Sequence, residues 1–69
     1  MKGRILDSLQ AHAEGSLELH LTNIEIYLNN PAGIGEHSDI LEAIQLEMDK
    51  AAVHQDRLDI IKKYAAGWF

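Results

Sequence analysis

Sixty-nine residues without a cysteine leave room for one small domain and exclude disulfide staples and thiolate metal sites. At 46% hydrophobic and 25% charged the chain is globular rather than disordered, yet a chain this short buries only about 60% of its unfolded surface and is marginal alone. The net charge of −5 is unevenly spread: from Ile5 to Asp49 there are nine acids and no lysine or arginine, which excludes the basic stripe that nucleic-acid binding requires.

No apolar run approaches the roughly 20 residues needed to cross a bilayer. The opening "MKGRILDSLQAHAEG" places acid and polar residues where a signal peptide needs an unbroken apolar core. The expectation is a soluble chain that is not secreted and has no membrane partner. Its acidic stretch reads first as a solvated surface, and in the sharper alternative as a face aimed at a basic partner.

The first predicted element has to be chosen between two patterns. Leu17, Leu19 and Leu21 alternate with polar residues as in a strand, but the next apolar set is Ile24, Ile26 and Leu28. Parity flips at Asn23, so a strand would need a bulge in its middle. At about 100° per residue, Asp7, Ser8, Ala11, Glu14, Gly15, Glu18, Thr22, Glu25 and Asn29 gather on one polar or small arc. Leu6, Leu9, Ala13, Leu17, Ile24 and Leu28 lie opposite, flanked by Ile5, Leu19, Leu21 and Ile26. The helical pattern accounts for the whole stretch, so a helix is predicted over about 3–29, with Gly15-Ser16 as its expected kink.

Asn30-Pro31 should end that helix, because the residue before proline is pushed out of the helical region. Gly33 and Gly35 suit a turn over 30–37, with Ile34 as a plug over the bundle end. Ser38 is the expected N-cap of a second helix over about 38–66, with Asp39 and Glu42 near its positive end. Gly67 is a natural stop, and Lys62-Lys63 suit the negative end. The chain is thus read as one all-α domain, 1–69, a two-helix αα-hairpin without internal repeats.

One hairpin cannot cover the apolar surface this predicts. The first helix has an apolar arc of roughly 220°, against a stripe of about 100° that one neighbour covers. The second has a main stripe of Ile40, Ile44, Met48, Ala51, Leu58, Ile61 and Ala65, and a separate row of Leu46, Val53 and Ile60. That surplus predicts a homo-oligomer, a dimer by preference, forming a four-helix bundle or a larger helical assembly. Leu46, Val53, Ile60, Trp68 and Phe69 are the candidate interface residues, with a helix-end packing role as the alternative for Trp68.

Folding the hairpin about residues 33 and 34 sets opposite each other those positions whose numbers add to 67. His20 then faces Glu47, and Ala13 faces His54. His20, Glu47 and His54 all fall on apolar stripes, and a buried carboxylate needs a partner. The expected arrangement is a hydrogen-bonded His20–Glu47 pair that fixes register. Carboxylate-bridged metal bundles use Glu-x-x-His on one helix face, and no histidine here has an acid three or four residues away. A metal held across a symmetric interface is the sharper alternative to the pair. The "GIGEHS" segment lacks the preceding strand and following lysine of a phosphate loop, and Glu36 would repel an anion. Tyr27 reads as core. No nucleophile, acid–base pair or cofactor motif emerges, so neither an enzyme nor a cofactor is expected.

The run "IYLNNPAGIGEHSDILEAI", and less closely "YAAGWF", resembles short uncharacterised proteins of marine tailed bacteriophages, over about Ala11 to Tyr64. The resemblance implies a phage-encoded protein acting in an infected bacterium or in the virion. That family has no established activity, so no site residues carry over. The function expected is a small structural or interaction module, with an acidic inhibitor or nucleic-acid mimic that binds a basic host protein as the alternative.

Overall fold

The structure, a computed structural model, describes residues 2–29 and 37–68, and side-chain surroundings over 3–29 and 39–68. Two α-helices, α1 (Lys2–Asn29) and α2 (His37–Ala65), pack side by side as an antiparallel hairpin about 50 Å long, 18 Å wide and 12 Å thick. No strand occurs among the described residues. The predicted turn over 30–37, with Gly33, Ile34, Gly35 and Glu36, lies outside the described residues up to His37, and Phe69 lies outside them too.

The seam between the helices follows a seven-residue repeat. On α2 it runs through Ile40, Ile44, Glu47, Ala51, His54, Leu58 and Ile61, in alternating steps of four and three. On α1 it runs through Ala13, Leu17, His20, Ile24 and Tyr27 with the same steps, and Leu6 extends it seven residues back from Ala13. This 3.5-residue period keeps both stripes facing each other when the helices wrap left-handedly. Among the described residues Ala13, at 1% exposure, and Ile40 and Ala51, at 7%, are the buried apolar ones; the rest of the seam is half-buried.

Three expectations change. Met48, placed on the main stripe by the 3.6-residue wheel, is exposed, because the tighter seam puts Glu47 in its place. Leu9, Leu28 and Ala65, also placed on stripes, are exposed as well. No break occurs at Gly15-Ser16: the helix runs unbroken from Lys2 to Asn29, its propensity deficit at Gly15 absorbed by a long helix packed along its length. The second helix begins at His37, so Ser38 falls inside the first turn rather than before it.

Helix α2 ends in a glycine cap. Gly67 takes φ +81°, a left-handed conformation that disfavours any side chain. The Trp68 N–H donates to the Lys63 carbonyl at 2.9 Å and the Gly67 N–H to the Tyr64 carbonyl at 3.1 Å, the paired bonds of a Schellman motif. The Lys63 ammonium also stands 5.9 Å from the centroid of the Trp68 ring, a cation–π contact joining the positions where that motif usually has an apolar one. Asp39 in the first turn of α2 and Lys62 and Lys63 in its last complement the helix dipole.

Candidate functional site

The most unusual chemistry of the molecule is a polar row set into the apolar seam. His20 and Glu47, level in the hairpin register, meet with Nδ1 of His20 2.7 Å from Oε2 of Glu47. The Asn23 side-chain amide donates to the same oxygen at 3.2 Å. These hydrogen bonds, that from His20 first, hold the Glu47 carboxyl below its ordinary value of 4.5. An ionised carboxylate only accepts, so the proton in the short contact resides on His20 Nδ1.

The row continues through histidines. The His54 ring stacks on His20, with centroids 5.8 Å apart and planes inclined by 10°. On its other side His12 approaches edge-on, at 6.2 Å and 73°. Ala13, opposite His54 in the register, has no side chain beyond Cβ, which leaves room for the imidazole. His54 Nδ1 is shielded from solvent and has no hydrogen-bond partner among the described residues. Desolvation first, then the charge of Arg57 and the neighbouring His20 and His12, lower the pKa of His54 below 6.5.

Register alone pairs His20 with Glu47 and Ala13 with His54; it does not reveal Asn23 and His12 as members of the row. Asn23 had a signal, since it stands three residues after His20 on the same face. His12 had a weaker one, as the neighbour of the alanine facing His54. Among the described residues no group of three or more His, Cys, Asp or Glu side chains is arranged to hold a metal ion. The row contains no hydroxyl or thiol nucleophile.

The candidate interface residues are distributed differently. Leu46, Val53 and Ile60 form an exposed row along α2. The groove lined by Leu9, His12 and Ala13 from α1 and Arg57, Ile60 and Ile61 from α2, about 230 Å³ in volume, shows which side this is. Ile5, Leu9, Leu19 and Ile26 of α1 therefore share a broad face with Leu46, Val53 and Ile60. The other side has its own groove, where Leu17, Leu21 and Ile24 meet Met48, Ala51, Ala52 and Gln55. Trp68 is 75% exposed at the C-terminal cap. No helix among the described residues is long and apolar enough to cross a membrane. No known protein family, curated protein or solved structure matches the chain.

Proposed function

We propose that this chain is a small non-enzymatic interaction module, a helical hairpin that associates through its apolar surface and keeps an acidic exterior. The observation that carries it is the imbalance of the fold. Among the described residues only Ala13, Ile40 and Ala51 are buried apolar side chains, while thirteen large apolar side chains are exposed. Seven of them, Ile5, Leu9, Leu19, Ile26, Leu46, Val53 and Ile60, share one face, and an apolar patch on that scale marks an interface. The polar row suits the same role, since a hydrogen-bonded polar set inside a helical seam selects one register over its slipped alternatives. The setting proposed, an infected bacterium or the virion, rests on the sequence pattern of residues 26–44 alone. Light scattering on the purified chain at micromolar concentration is expected to give at least twice 7.7 kDa. A single-chain mass with full helicity would refute self-association.

The second reading, an acidic inhibitor or nucleic-acid mimic, is favoured by the nine acids and absent bases between Ile5 and Asp49. It requires a salt-sensitive complex with a basic DNA-binding protein that free DNA displaces. Capture that is insensitive to salt and to DNA argues against it.

A further inference from the structure

We propose that the face bearing Ile5, Leu19 and Ile26 on α1 and Leu46, Val53 and Ile60 on α2 seats a second copy of this chain, closing a four-helix bundle. The inference rests on the module reading above and names its partner and surface. Both helices offer the same kind of row here, apolar residues recurring every seven positions: Ile5, Leu19 and Ile26, interrupted by His12, and Leu46, Val53 and Ile60. On the opposite side the apolar residues, Leu21, Leu28, Leu41 and Met48, cover only the half of the hairpin nearer the turn, and Asp7, Glu14 and Lys62 occupy equivalent positions farther along.

Area favours a second copy over a small ligand or a short peptide. The chain exposes 5404 Å², whereas a compact monomer of 7.7 kDa exposes about 4,300 Å². The excess, about 1,100 Å², is of the order of the roughly 800 Å² that each partner contributes to a standard interface. The face, 50 Å by 18 Å, offers on the order of 900 Å², and only a partner as long as the hairpin covers it. The groove between Leu9 and Ile60 is a hole of about 230 Å³ on the same face as the projecting rows. Two copies therefore bring both knobs and holes.

Lys50 and Arg57 stand between the apolar row of α2 and the seam, while the row on its outer side, Glu42, Asp49 and Asp56, is acidic. The aliphatic stems of both cations can lie over the apolar surface of a docked copy while their charged ends reach toward water.

The chain has no cysteine, so single-cysteine variants report on each face without interference. Val53→Cys probes the proposed interface and Met48→Cys the opposite side; both are modest changes at exposed positions. Well above the dissociation constant, alkylation of the Val53→Cys thiol is expected to slow by about tenfold relative to dilute protein, with Met48→Cys unchanged. Doubled mass together with that pattern supports the proposal. Doubled mass with Met48→Cys protected, or with Val53→Cys unprotected, overturns this face and leaves the module reading standing. A single-chain mass overturns both.

Discussion

A proton added to the His54 ring would meet two imidazoles, those of His12 and His20, and the guanidinium of Arg57, with Nδ1 already shielded from water. The folded chain therefore takes up that proton at a lower pH than the unfolded chain, whose histidine titrates near 6.5. Above that value both states are neutral at this residue and nothing is lost. Below it the unfolded chain binds the proton first, so stability falls as pH drops toward the depressed folded value. Glu47 acts in the same direction at lower pH. Its contribution is complete above 4.5 and is lost as pH falls through its own lowered value. The midpoint of thermal unfolding should be flat near neutral pH, decline below about 6.5, and fall again below about 4.5. In His54→Leu the upper decline should vanish. A wild-type midpoint constant from neutral pH to about pH 5 would contradict this account of His54. The pair itself is tested by a mutant cycle. Glu47→Ala should lower the midpoint, because it leaves His20 and Asn23 half-buried without their acceptor, and the double change His20→Leu with Glu47→Leu should recover much of the loss. Strict additivity of the single changes would show no coupling between them.

At the scale of the helix, Gly15 and Gly67 make opposite predictions. A Cβ built at Gly15 meets nothing within 4 Å, and the backbone there is helical. Gly15→Ala should stabilise the chain by about 0.4–1 kcal/mol, mainly by restricting the unfolded state. A Cβ at Gly67 also meets nothing, but φ +81° penalises it whatever the space, so Gly67→Ala should cost about 1–2 kcal/mol. Chemical denaturation of the two variants measures both, and equal signs would refute the argument. The same scale shows what could be read in advance. The two helices, the stop of α2 at Gly67 and the antiparallel register follow from apolar periodicity and that glycine, which are local signals. The exposure of Met48 does not, because a free helix at 3.6 residues per turn places residues 47 and 48 almost equally well. Only the partner helix selects the 3.5-residue seam, and Asn23 and His12 join the polar row through side-chain directions that spacing leaves open.

For the molecule as a whole, the segregation of charge matters more than its sum. Lysine and arginine are confined to the first four residues and to Lys50 onward, whereas α1 carries four acids: Asp7, Glu14, Glu18 and Glu25. A DNA or RNA gel shift at physiological salt should show no retardation, since no run of cations tracks a phosphate backbone. Reproducible retardation at low-micromolar protein would overturn this expectation.

Trp68, held at the glycine cap beneath the Lys63 ammonium, is the only tryptophan in the chain. The intrinsic fluorescence of the protein is therefore a local signal from the last turn of α2. Emission should resemble that of indole in water, and an anionic quencher such as iodide should reach it readily, drawn by the neighbouring lysines. If concentrating the protein shifts that emission to the blue, association extends to the C-terminal cap. An unchanged spectrum alongside a doubled mass would confine the interface to the helices and leave this aromatic end open to a different partner.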